Sequence, residues 1–383
     1  MNKDSEKKAF KDWFDVEAAR RLGEQMQSAW PDFPLKRFET RAVRGLAALE
    51  FHGRVHRFAD ALAECLPEKI PEALDILTRS LPPVNPDNEA INDGWLQWPL
   101  GHYIAEHGLE DFEASFEAMI ALTQRFSSEF AVRPFVEHQP NATFAALGKL
   151  TTHPSSHVRR WCSEGVRPRL PWGKRLDALV ADPSPIWPIL EDLKDDPSPY
   201  VRKSVANCIN DIAKDHPEAA VARCAAWQKG TGPGRHWIIR HALRSLIKAG
   251  HPRALALMGY ASDPSAEAIP KLTPTCCRIG ETVELEAELT HTGQSEQSLL
   301  LDIVVGFPGK NGGVREKVFK WTSFTLQPGE RRSLRKTLPF FKPTSTRALY
   351  PGEHTLQLQL NGVRQGRAVL RVERPEGEVR LIF

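Results

Sequence analysis

The sequence predicts a mainly α chain: a HEAT-like α-helical solenoid over residues 1–262, followed by a small immunoglobulin-like β-sandwich over 263–383. Three observations predict it. Apolar residues recur three and four apart through the first part. A proline turn with a basic helix start returns there at a step of about 40 residues, and after Tyr260 the pattern changes to period two.

Within the helical part, Phe112–Phe126 (FEASFEAMIALTQRF) shows the helical period, and breakers such as His153-Pro154, Asp182-Pro183, Asp196-Pro197 and Gly250-His251-Pro252 close the segments. The run THPSSHVRRWCSEGVR (152–167) resembles DPSPYVRKSVANCIND (196–211), so that Val158-Arg159-Arg160 aligns with Val201-Arg202-Lys203. A weaker third copy, 233–250, carries Ile239-Arg240. Repeats of this length stack into a curved solenoid whose concave face cradles extended ligands.

Residues 261–275 (ASDPSAEAIPKLTPT) have proline and serine at linker density. Then ETVELEAELTH (281–291) alternates apolar and polar, and SLLLDIVVGF (298–307), TSFTLQPGERRSLRKTL (322–338), GEHTLQLQLNG (352–362) and GRAVLRVE (366–373) follow between turns. Short strands at this spacing predict a sandwich.

A hydrophobic share of 41% and a charged share of 26% are ordinary for a soluble protein. No apolar run approaches the ~20 residues of a membrane span. The N-terminus MNKDSEKKAFKDWF lacks an apolar signal core, so the expected location is the bacterial cytoplasm, away from membranes. The six cysteines form no C-x-x-C pair and no H-E-x-x-H run occurs; neither metal nor cofactor is expected.

A net charge of +3 does not by itself mark a nucleic-acid partner, but its distribution is uneven. Residues 151–180 hold six basic residues (Arg159, Arg160, Arg167, Arg169, Lys174, Arg175) against two acids, and 231–260 hold five against none. The expectation is a basic stripe along one repeat edge that binds phosphate in a salt-sensitive way. The plainer reading is a set of solvated helix faces.

Four residues beside that stripe are candidates for chemistry. Glu129 follows Ser127-Ser128 and is read in the first turn of a helix. Glu164 comes one turn after Arg160. Trp172 follows Pro171 in an arginine-rich loop, and Asp211 lies late in the helix of 200–214, where Ser204, Asn207 and Asp211 share one flank of an apolar face.

The runs HPSSHVRRWCSEGVRPRLPW (153–172), EFAVRPF (129–135), DPSPYVRKSVANCINDIAKDHPE (196–218) and RHWIIRHALRSLIKAGHPRALALMG (235–259) resemble the bacterial HEAT-like alkylpurine DNA glycosylases. The resemblance is to the AlkC type more than to AlkD, because the chain continues into a β-sandwich that AlkD lacks. It implies base excision repair of alkylated double-stranded DNA. The bond hydrolysed is the N-glycosidic bond of 3-methyladenine above all, with 3-methylcytosine and 7-methylguanine left open. It also implies a monomer acting on the nucleoid without conventional base flipping. By motif position Glu129, Glu164 and Asp211 correspond to active-site carboxylates and Trp172 to an aromatic against the lesion. Arg159, Arg160, Arg202, Arg240 and Arg244 correspond to phosphate contacts. On this reading Glu164 and Asp211 stabilise the sugar and position water, while Glu129 completes a negative pocket. The competing reading is a non-catalytic HEAT-repeat scaffold: one for protein predicts an apolar groove instead of a basic repeat edge, and one for nucleic acid is spoken against by the presence of Glu129, Glu164, Trp172 and Asp211.

Overall fold

The computed structural model describes residues 9–84, 91–230, 234–338 and 349–374. The first eight residues of the charged N-terminus, and Pro233 at the start of the third repeat copy, lie outside the described residues. The chain divides into two compact units, Met1–His216 with Trp227–Ala242, and Pro217–Ala226 with Leu243–Phe383. The change from helix to strand falls later than this division, between the helix Pro252–Leu257 and a strand opening at Ala266.

The first unit is helical, and its repeats are those the sequence shows. Helix Pro199–Ile212 packs against both Ser156–Glu164 and Arg235–Ala242. Val158, Val201 and Ile239, the apolar residue of each copy, are all buried. The arginine after the valine has a structural reason to recur. Arg159 Nη1 donates to the carbonyls of His153 and Pro154 at 2.8 and 2.9 Å, and Arg202 Nη1 donates to those of Asp196 and Pro197 at 2.6 and 2.9 Å. Each ties down the proline turn ahead of its own helix, satisfying carbonyls that helix geometry leaves open. Ion pairs then link successive copies: Arg159 with Asp196 at 2.6 Å and Arg235 with Asp195 at 2.5 Å.

The second unit contains a sandwich of eight strands among the described residues: β1 Ala266–Thr273, β2 Cys276–Arg278, β3 Val283–His291, β4 Gln297–Pro308, β5 Val314–Leu326, β6 Arg331–Leu338, β7 Gly352–Leu360 and β8 Val363–Glu373. One sheet has the order β1-β3-β6, the other β2-β8-β7-β4-β5. Inward residues of both, such as Leu285, Leu289, Ile303, Val305, Leu356 and Leu358, form a single apolar core. The stretch 261–275, read as linker, holds β1. Pro270 sits inside that strand, which is tolerated because β1 is an edge strand, its ladder pairing among the described strands being with β3 alone.

Asp302 is buried in the middle of β4, beside a register shift. Burial pushes its carboxyl up to about 6, against the opposing pull of Lys248, Lys320 and a backbone hydrogen bond from Trp321. The native state therefore keeps a proton that the unfolded chain releases near 3.8, and stability falls as pH rises between the two values. Asp302→Asn is expected to add about 3 kcal/mol at pH 7.5 and nothing at pH 3.5, measured as the shift in urea midpoint.

Candidate active site

The site is assembled where helix Ser156–Glu164 ends. Gly165 follows it, and a Cβ there would stand 2.5 Å from Val132 Cγ1, so the close approach requires glycine. The chain then runs through an irregular loop to helix Asp177–Ala181. Arg133 pins that loop. Its Nη1 donates to the carbonyls of Gly165 and Arg167 at 3.1 and 3.0 Å, and its Nε to that of Lys174 at 2.8 Å. Burial lowers this guanidinium to about 10, which leaves it charged at neutral pH.

Glu129 stands in a turn before helix Arg133–His138, not in a first helical turn. Ser127 explains the difference. Its hydroxyl donates to Glu129 Oε2 at 2.8 Å and accepts the Glu129 N–H at 3.3 Å, a local pairing that competes with helix.

The structure brings Glu129, Glu164 and Asp211 into one network. Arg160 Nη2 lies 2.8 Å from Glu129 Oε2 and 3.4 Å from Glu164 Oε1. Arg167 continues the alternation, with Nη1 2.5 Å from Glu164 Oε1 and Nε 2.8 Å from Asp211 Oδ2. Lys214 caps the far end, 2.9 Å from Asp211 Oδ1. Ser204 Oγ donates to Glu164 Oε2 at 2.6 Å and receives a bond from Ser163 Oγ at 2.7 Å. Glu164, Arg167 and Asp211 are buried, so each charge depends on its neighbours. Burial alone would raise the Glu164 carboxyl, but Arg160, Arg167 and Ser204 hold it below its ordinary value. The same carboxylates raise Arg160 and Arg167 against the opposing effect of burial.

The network meets a cavity at its Glu129 end. A space of about 340 Å³ is lined by Ser127, Glu129 and Arg160 on one side and by Phe10, Trp98 and Trp172 among its aromatic walls. Both bonds to the Glu129 carboxylate fall on Oε2; among the described residues Oε1 accepts none. The oxygens of Glu164 and Asp211 all have partners. Trp172 is 62% exposed, an unusual state for an indole, and has φ 65°. A bulky residue in the left-handed region costs ~1–3 kcal/mol, a strain that concentrates at working sites. Its ring is near-parallel to Trp98 at 6.1 Å and edge-on to Phe10 at 5.6 Å.

With this geometry in place, the comparisons with known proteins are specific. Residues 186–216 match the HEAT repeat, and residues 267–374 match the family described as the C-terminal Ig-like domain of uncharacterised protein YhaZ. Uncharacterized protein YhaZ of Bacillus subtilis (strain 168) is 38% identical over 355 residues, which is 92% of this chain and 96% of that protein. The alkylpurine DNA glycosylase AlkC of Pseudomonas fluorescens, solved bound to DNA containing an abasic site analog, is 36% identical, with a TM-score of 0.88 over 96% of this chain and 100% of that one.

The chain belongs to the AlkC family.

In this member of the AlkC family, the basic residues of 151–180 are engaged by acids. All six cations of 151–180 face a carboxylate: beyond Arg159, Arg160 and Arg167, Arg169 meets Asp215 at 2.7 Å, Lys174 meets Glu137 at 2.9 Å and Arg175 meets Asp177 at 2.5 Å. Most of the balancing acids (Glu129, Glu137, Asp196, Asp211 and Asp215) come from outside 151–180, where a count along that stretch does not see them. Arg160 faces inward, and Arg159 and Arg202 hold turns. Arg240 is exposed on helix Arg235–Ala242. Arg244 opens helix Arg244–Lys248 in the second unit.

Sequence reasoning did not single out three parts of the site. Arg167 is the cation shared by two of the carboxylates; its place three residues after Glu164 was the available signal. Arg133, which positions the Trp172 loop, had none. The aromatics Phe10, Trp13, Trp95 and Trp98, which line the cavity, had none either, since an aromatic share of 8% is ordinary.

Proposed function

We propose that this chain is a DNA glycosylase that excises alkylated bases, chiefly 3-methyladenine, from double-stranded DNA, acting as a cytoplasmic monomer. The observation that carries this is the alternating carboxylate–guanidinium network that opens, at Glu129, onto a cavity walled by aromatic rings beside an exposed Trp172. Membership of the AlkC family supports it, as does the alkylpurine DNA glycosylase activity of the Pseudomonas fluorescens relative.

The chemistry follows from the lesion. N3-methylation makes adenine cationic, so the base leaves without prior protonation. As the bond from C1′ to N9 breaks, its electron pair neutralises the base, and positive charge grows at C1′ and the ring oxygen. Three carboxylates held in place before the reaction supply the opposing charge with little reorganisation. Arg160 and Arg167 aim them, and hold the Glu164 carboxyl below its ordinary value. Glu129, which has an uncommitted oxygen at the cavity, orients the water that attacks C1′ and takes its proton. Glu164 and Asp211, whose oxygens are occupied, act through their field. Trp172 packs on the deoxyribose or the lesion, and its exposure suits reading a nucleotide that is not swung into a deep pocket. Arg240 and Arg244 supply phosphate contact. None of these steps calls on a metal or cofactor.

Two outcomes test the reading. In single-turnover assays on defined duplexes, uracil and hypoxanthine, both neutral, should leave at least about 100-fold more slowly than 3-methyladenine. The excision rate should stay level from about pH 8 to about pH 5.5, because no acid is required and the depressed Glu164 carboxyl keeps its charge. Efficient hypoxanthine release, or a rate that drops as pH rises through 7, contradicts it.

A further inference from the structure

The rings that wall the catalytic cavity have a second side. Trp98, Phe130 and Trp172 line the cavity at Glu129, and the same three line a separate space of about 430 Å³. That volume lies within the range of small-molecule sites. Nothing in the excision chemistry above uses it.

Its lining is aromatic and acceptor-rich. His56 and His102 stack face to face, with centroids 3.9 Å apart and planes 11° from parallel, and His52 stands edge-on to Trp172 at 5.9 Å. Burial, with His56 as a second cause, lowers both His52 and His102, so these rings are neutral at pH 7. Two carboxylates reach the space. Glu106 Oε1 lies 3.0 Å from His102 Nε2, and Glu137 is paired with Lys174 at 2.9 Å. The cations of the lining are committed: Lys174 to Glu137, and Arg133 to the carbonyls of Gly165, Arg167 and Lys174. A phosphate would meet carboxylates and neutral imidazoles. A flat, uncharged heterocycle bearing N–H donors would meet ring faces and acceptors.

We infer that this second cavity binds the free nucleobase released by the reaction, a neutral N-alkylated purine, behind the wall formed by Trp98, Phe130 and Trp172. The inference rests on the proposed excision activity for the identity of its ligand. Its logic is a difference in charge across one wall. The substrate base is cationic and is favoured beside Glu129. Cleavage of the C1′–N9 bond returns the electron pair to the ring, and the neutral product loses that attraction. A site of stacking faces and amine acceptors then retains it.

The test titrates free 3-methyladenine into the DNA-free full-length protein and follows tryptophan fluorescence. Ala105 lines this cavity and not the catalytic one, so Ala105→Phe fills it. Glu106 is at the surface, so Glu106→Gln removes an acceptor without disturbing the core. Expected are saturable binding to the parent protein, at least a tenfold loss in Ala105→Phe and a several-fold loss in Glu106→Gln. Single-turnover excision should stay within twofold in both variants, with product inhibition relieved in multiple turnover. Equal affinity in the parent and both variants places the base elsewhere and overturns the inference. So does a loss of single-turnover excision in Glu106→Gln, which assigns the space to DNA. Absence of binding to the parent also overturns it, while absence of excision by the parent sinks the proposed function and is read in a separate assay.

Discussion

Replacing Glu129 by glutamine is expected to slow single-turnover release of 3-methyladenine by about 100- to 1,000-fold, the range seen when one preorganised electrostatic group is removed from a transition state. The substitution preserves shape and the bond from Ser127, but removes the charge that faces the cavity and the oxygen that takes a proton from water. DNA affinity should hold within about threefold or rise, because a negative side chain is removed from a surface that meets phosphate. The same change at Glu164, which is saturated by Arg160, Arg167 and Ser204, is expected to cost about tenfold, since it alters the field without touching the water. Rates are read at enzyme excess, with affinity measured separately on DNA containing an abasic-site analog. If Glu164→Gln is the slower variant by a wide margin, the assignment of roles is reversed.

Arg167→Met is expected to lower the stability of the helical unit by about 3–5 kcal/mol, the cost of breaking a buried ion pair from one side. Arg167 serves two buried carboxylates at 2.5 and 2.8 Å, and its loss leaves Glu164 with Arg160 and Ser204, and Asp211 with Lys214 alone. Adding Glu164→Gln and Asp211→Asn to that background should return part of the loss, because the charges left stranded are removed. Urea denaturation of the three proteins measures it. A triple variant no more stable than Arg167→Met would mean that packing of the arginine stem, and not charge, accounts for the cost.

What the sequence reveals, and what it hides, follows from how far apart partners lie along the chain. The repeat was legible because the Val-Arg pair and its proline turn are local: Arg159 reaches carbonyls five and six residues away, and Arg202 does the same. The polar flank of Ser204 and Asp211 was legible from helical period, and both residues do face the site. β1 was hidden because Pro270 is a breaker everywhere except at an edge. The partners of the charges are the least legible feature. Arg160 is tied to Glu129 and Arg167 to Asp211 across gaps of more than thirty residues, so a basic run became the inner lining of a neutral network. Glu129 was placed in the right neighbourhood but the wrong conformation, because a serine two residues away outcompeted the helix.

The account is tested most directly by treating duplex DNA with a methylating agent, incubating it with the protein and identifying the liberated bases by mass spectrometry. The expected product is 3-methyladenine above all, with unmodified adenine and guanine left in the strand. Release of unmodified purines, or no release of 3-methyladenine at enzyme excess, would show that the carboxylate network does not act on a cationic base.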